Sequence, residues 1–312
     1  MRAVAVILAV VAISIVPWFW NSRYIFHIAT MAAIMIPLAT SMHLMIKIGQ
    51  LSLAHAAFMG VGGYASALLT MRVGSPAILS LLAGGILAAC LAGILGPIFL
   101  RIKGVYFVLL TYAFGQIINL NFQHWTSLFG GNNGLYGIPK FSIAGLHLGS
   151  VHAGYYMLGL VVAFASYLIM RRFEKSDSGM ICDALNEDEM LCLALGSNAH
   201  VWRIAAFAGG ALMAAISGGI YAFYIGFISP DTFDFQGSVD LIVMNVIGGA
   251  SSTFGPIIGA AIVVPLLEAL RDAHQYQLLI YGICLLFFMM FFRKGLVDLI
   301  NRQGKPRDAR TS

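Results

Sequence analysis

The sequence predicts an all-α polytopic membrane protein, and three observations carry that prediction. Apolar residues make up 60% of the 312-residue chain and charged residues only 10%, where soluble domains carry about 25% charge. The apolar residues fall in runs that approach the roughly 20 residues needed to cross a bilayer as a helix. Lysine and arginine are unevenly shared between alternate connections, as cytoplasmic loops require. The whole chain, 1–312, reads as a single transmembrane domain, because its polar connections are too short for a separate soluble one.

The first run, 3–20, ends in Pro17-Trp18-Phe19-Trp20 with no small-x-small cleavage site, so it reads as a membrane helix rather than a signal peptide. Its tryptophans suit a bilayer interface. The next runs are 28–46, with Pro37 as a kink, then 50–71, 78–100, 105–122 and 153–170. After a polar stretch come 203–226, a shorter run at 239–249, then 255–270 and 276–292. The total is about ten crossings, some of them short or discontinuous.

With the N-terminus inside, fourteen basic residues are cytoplasmic and four (Arg23, Arg72, Lys140 and Arg271) are outside. That asymmetry places both termini, the 171–203 loop and the 293–312 tail in the cytoplasm, and the 123–152 loop outside. The positive net charge thus follows the bilayer rather than nucleic acid, and no Arg-rich run with interleaved aromatics occurs.

Small residues recur at four-residue spacing: Gly84, Ala88, Ala92 and Gly96, with Gly85, Ala89 and Gly93 beside them, then Gly210, Ala214 and Gly218, then Gly255 and Gly259. Such ladders let helix backbones approach closely in lipid.

The polar stretch Ser176–Asn198 contains a short helix over 187–195. Asn186 is its N-cap, Glu187, Asp188 and Glu189 fill the first turn, and Gly196 is the stop. At about 13 Å it cannot span a membrane. With Leu191 and Leu195 on its surface it needs something to dock on.

Chemistry in the spans is sparse. No acidic residue precedes Glu174, and in the second half only Asp240 and Glu268 fall in or at the edge of a span. Ion-driven transporters place such groups within the bundle, so the energy source lies outside this polypeptide. No phosphate-binding G-x-x-x-x-G-K-[ST] loop occurs, so the chain does not bind ATP by itself in that way and no cofactor is expected here. The eight histidines show no metal-ligand spacing. Cys90 and Cys284 lie in apolar runs, and Cys182 and Cys192 on the cytoplasmic side, so no disulfide framework is implied. Gln50, Ser52, His55, Thr111, Gln116, Asn119 and Asn245 are the candidates for a substrate path, with helix-to-helix hydrogen bonding as the alternative role.

Six segments in order resemble LivM-type permeases of branched-chain amino acid ABC transporters. They are GQLSLAHAAFMGVGGYASALL (Gly49–Leu69), GVYFVLLTYAFGQ (Gly104–Gln116), GGNNGLYGIP (Gly130–Pro139), ALNEDEMLCLALGSN (Ala184–Asn198), GFISPDTFDFQGSVDLIVMNVIGG (Gly226–Gly249) and GPIIGA (Gly255–Ala260). The resemblance spans Gly49 to Leu299, with local departures at Met180, Leu191 and Cys192. It implies a bacterial inner-membrane importer subunit for leucine, isoleucine or valine that catalyses no covalent reaction. It would pair with a second permease, two cytosolic ATPases and a periplasmic binding protein, and Asn186–Glu189, Leu191, Leu195 and Gly196 would couple to the ATPase. Urea or short amides are the alternative cargo. An ATPase-independent facilitator and a structural scaffold are rival classes.

Overall fold

The structure, a computed structural model, describes residues 22–143, 146–147, 152–187, 192, 199–271, 276–291 and 296. The expected span at 3–20 and nearly all of the 293–312 tail lie outside these residues.

The helices follow the apolar runs closely. They are α1 Arg23–Lys47, α2 His55–Val73, α3 Ala77–Phe99, α4 Val105–His124 and α5 His152–Glu174. A short amphipathic α6, Asp177–Glu187, precedes α7, Ala199–Ile225. Three shorter helices finish the chain: α8 Phe235–Gly248, α9 Gly255–Ala269 and α10 Gln277–Phe291. Charges and glycines set the limits. Lys47 closes α1, left-handed Gly74 closes α2, and Asp234 caps α8 by accepting a hydrogen bond from the Gly237 amide at 3.2 Å.

Among the described residues five helices, α1, α3, α4, α5 and α7, are long and apolar enough to cross a bilayer. By that measure the count falls short of the expected ten. At 1.5 Å per residue α8, α9 and α10 are about 21–23 Å long, less than a hydrocarbon core of about 30 Å. The α-helical expectation needs one addition. Strand β1 (Leu135–Tyr136) lies in the connection after α4, followed there by β2 (Ser142–Ile143) and β3 (Leu146–His147). Strand β4 (Phe227–Ile228) follows α7 and pairs antiparallel with β1, while β2 pairs with β3. These ribbons satisfy backbone groups in the connections, beside short helical turns at Thr126–Phe129, Gly131–Asn133 and Pro230–Phe233.

The centre of the bundle is α7, packed against α2, α3 and α1. The small-residue ladder on α7 explains the fit. A Cβ built on Gly218 would stand 1.9 Å from the Met59 carbonyl oxygen, so α2 and α7 touch backbone to backbone. Phe58, Phe107, Phe207, Phe223 and Phe233 fill the space around that crossing and are fully buried. By contrast α4 turns most of its length outward, exposing Val105, Tyr106, Leu109 and Ile117.

Candidate functional site

Two places concentrate polar contacts: a break in the helices at the bundle centre and a charged clamp at one end.

The break is the segment 48–54 between α1 and α2. The expected span 50–71 begins late, at His55, so Gln50 and Ser52 precede the helix rather than sit in it. Gly49 has φ +73, a conformation glycine adopts freely, and turns the chain back into the bundle. The Gly49 and Gln50 amides donate to the Ile46 and Met45 carbonyls, both at 3.0 Å, which closes α1. Further on, the freed backbone is met by side chains from distant helices. The Leu53 amide donates to Thr111 Oγ1 at 3.0 Å. Ser238 Oγ donates to the Leu53 carbonyl at 2.8 Å and accepts from the Ala56 amide at 3.1 Å. Ser52 Oγ accepts from the Ala54 amide at 3.3 Å. Away from water, broken helix is tolerated only where such partners exist.

Gln50, Ser52, His55 and Thr111 are therefore brought together, and all four are buried. His55 is sealed in by α7, since a Cβ on Gly210 would lie 3.2 Å from both His55 Nε2 and the Ser41 carbonyl oxygen. The remaining candidates lie elsewhere. Asn245 Nδ2 donates to the Ala39 carbonyl at 2.9 Å, joining α8 to α1. Asn119 Nδ2 donates to the Pro230 carbonyl at 2.8 Å and its Oδ1 accepts from Gln123 at 2.7 Å. Gln116 is half-buried beside a small recess lined by Leu53, Ala57 and Tyr112.

The clamp involves α6, which corrects the expected N-cap at Asn186; beyond Glu187 the rest of the expected helix at 187–195, apart from Cys192, lies outside the described residues. Asn186 is not an N-cap: it lies inside α6, and Glu187 is the last residue of that helix. The start is at Ser176, whose Oγ accepts from the Gly179 amide at 3.3 Å, and Asp177 suits the first turn. Gly179 is required here, because a Cβ would stand 2.2 Å from the Phe173 carbonyl oxygen at the tight α5–α6 corner. Asp188, Glu189, Leu191, Leu195 and Gly196 lie outside the described residues. Part of the docking need is met by the bundle itself, since Ile181 and Leu185 pack with Cys192 and Trp202. Burial and the nearby Asp183 push the Cys182 thiol up to about 11.

At this end Lys47 Nζ reaches Asp183 Oδ1 on α6 at 3.0 Å and Glu174 Oε1 on α5 at 3.4 Å. Buried His43 Nε2 lies 3.6 Å from Glu174 Oε1. Thr253, in the turn between α8 and α9, donates a hydrogen bond to Glu174 Oε2. Four elements thus meet on one lysine–glutamate pair. Exposed ion pairs contribute about 0–1 kcal/mol each, and here Asp183 is exposed while Lys47 and Glu174 are largely covered, so the cluster fixes the register of these elements. Sequence reasoning missed Lys47, Glu174, Asp183, Thr253 and Ser238. One signal was available: Glu174 is the first acid in the chain and Lys47 the only base in its connection.

Among the described residues no group of three or more His, Cys, Asp or Glu side chains could hold a metal ion. A helical bundle that crosses a membrane, breaks a helix at its centre and gathers polar groups at the break has the makings of a membrane permease. Sequence comparison makes the class specific. The pattern of the branched-chain amino acid transport system permease component family matches residues 24–292, and the chain belongs to that family. It is similar to the high-affinity branched-chain amino acid transport system permease protein LivM of Escherichia coli K12, with 29% identity over 94% of this chain and 75% of that protein. The LivM of Salmonella typhimurium LT2 is also 29% identical, over 96% of this chain and 76% of its own length. No solved structure matches. The chain is a LivM-type permease component.

Proposed function

We propose that this chain is one transmembrane subunit of an ATP-driven ABC importer that moves leucine, isoleucine and valine across the bacterial inner membrane. Its partners are a second permease chain, two cytosolic ATPase subunits that hold the ATP and magnesium, and a periplasmic binding protein. Ten crossings put both termini in the cytoplasm, and the segment from α6 through Gly196 forms the ATPase-coupling surface.

The observation that carries the reading is the clamped position of α6. The helix is anchored to α1 and α5 through Lys47. Its opposite side keeps an exposed stripe of Asp177, Met180 and Ala184 at helical spacing. A short helix that is fixed to the spans on one side and open on the other can pass a push from a soluble partner into the bundle. A facilitator needs no such part. The similarity to two LivM proteins of branched-chain amino acid transport supports the cargo.

The test is leucine uptake into proteoliposomes by the assembled transporter. Accumulation that requires both ATP and the binding protein is the expected result. Leucine that equilibrates without ATP overturns the importer reading in favour of a facilitator, and transport of urea but not leucine overturns the cargo. Orientation has its own check. A cysteine at Lys140 should react with an impermeant thiol reagent added to intact cells, and one at Asp183 should not. Reaction at Asp183 would reverse the topology.

A further inference from the structure

The central break and the clamp leave one large feature unused: a cavity of about 420 Å³ between α1, α7, α8 and α9. That volume lies at the small end of the roughly 300–1,000 Å³ typical of small-molecule pockets. Its lining is graded. The mouth carries His27, Thr232, Glu268, Arg271 and Gln277, close to the ends of α1, α9 and α10 that lie away from the Lys47 clamp. The deeper wall is formed by Met31, Met35, Leu38, Met59 and Met244, apolar and in part flexible. Asp240, one of the two carboxylates in or at the edge of the second-half spans, sits between these zones.

We infer that this cavity binds a free amino acid with an apolar side chain, and the inference rests on the importer reading above. The lining offers a partner for each part of such a ligand. Arg271 is paired with Glu268 at 3.3 Å, but its side chain is 72% exposed, so it can turn to a ligand carboxylate. Asp240, held by Gln236 at 3.4 Å, offers an acceptor to a ligand ammonium. Met31, Met35 and Met244 then receive the hydrocarbon branch. The lining carries charges of both signs, Asp240 and Glu268 against Arg271, beside an apolar wall, and a ligand with an ammonium, a carboxylate and a hydrocarbon branch engages all three features. The floor reaches Ala56, whose amide is held by Ser238 at the broken helix. The cavity is thus a vestibule from which the break is the next step.

The experiment uses the complete transporter in nanodiscs, without ATP, carrying Met35→Cys or, as a second variant, Met244→Cys. Modification by a small maleimide is read at each cysteine by mass spectrometry, so the native cysteines serve as internal references. Leucine should slow modification of the cavity cysteine. Isocaproate, which lacks the ammonium, and isoamylamine, which lacks the carboxylate, should need at least about tenfold higher concentration for the same effect, as expected for losing one charged hydrogen-bonding partner. Asp240→Asn and Arg271→Gln should each shift the leucine protection curve upward by about tenfold or more. No protection by leucine in either variant overturns the site. Equal protection by all three compounds also overturns it, leaving an apolar pocket filled by lipid. ATP-driven leucine uptake by the same preparation separates the two claims. Uptake without protection removes the site and keeps the importer, and neither uptake nor protection removes both.

Discussion

Gly218→Ala is the sharpest test of how this bundle is held together. The added Cβ would lie 1.9 Å from the Met59 carbonyl oxygen, and 2.7 Å from the carbonyl carbon, where real Cβ atoms keep at least 3.0 Å. The obstacle is backbone in the middle of α2, so no side chain can swing away to admit it. The helices must separate by about 1.1 Å, the difference between that 3.0 Å limit and the 1.9 Å approach to the oxygen. A gap of 0.5–1 Å already forfeits about a quarter to a half of each dispersion contact across it. The contacts at risk include the edge-to-face pair of Phe58 with Phe207, whose ring centres are 5.4 Å apart. Overpacking a close fit costs about 1–3 kcal/mol and sometimes more, and this position belongs at the upper end. The paired control is Gly93→Ala. Gly93 lies in a ladder that looks the same in sequence, yet a Cβ there meets nothing within 4 Å. Alanine should be neutral or gain up to about 1 kcal/mol of helix propensity. Thermal unfolding of the purified transporter in nanodiscs, with leucine uptake beside it, reads both. A Gly218→Ala protein with wild-type stability, or a Gly93→Ala protein as damaged as Gly218→Ala, would refute the backbone crossing.

Three further expectations follow from the polar contacts. Lys47→Met should lower leucine moved per ATP hydrolysed several-fold while costing no more than about 1 kcal/mol of stability; an unchanged transport ratio would show the clamp to be structural only. Asn245→Ala removes a donor to Ala39 on α1 and another to Leu241 within its own helix. Interhelical hydrogen bonds in membranes average about 0.6 kcal/mol, so stability should fall slightly and uptake persist, and a stable protein without uptake would instead place Asn245 on the substrate path. With its thiol pushed up to about 11, Cys182 should be only about one part in a thousand thiolate at pH 8 and resist alkylation until the protein unfolds, a point that labelling followed by mass spectrometry decides.

How far the sequence could be read depended on whether a feature was local. The helices of the spans were readable because each apolar run is bounded by its own charges, glycines or prolines. Lys47 and Gly74 end helices that the run lengths anticipate to within a few residues. The start of α6 was missed because Ser176 and Asn186 are both good caps and the sequence does not rank them. What ranks them is tertiary: Gly179 lets α6 fold tightly under α5, and Cys182 and Leu185 then face the bundle. The clamp was unreadable for a stronger reason. Its members Lys47 and Asp183 are separated by 136 positions, and no periodicity links them.

The central polar residues show a third limit. Sequence identifies Ser52, Thr111 and similar residues as polar groups in lipid, and lipid makes such groups conspicuous. It does not reveal what they serve. In the fold Thr111 and Ser238 satisfy the backbone of Leu53 and Ala56, which the turn at Gly49 has left without helical partners. Their polarity is a consequence of the break, and the break is a consequence of one glycine. Structural and functional roles need not compete here. A backbone held by two side chains from two other helices is released when those helices move apart, and on the importer reading proposed above a push delivered through α6 and Lys47 would act on α1, the helix that leads directly into that segment.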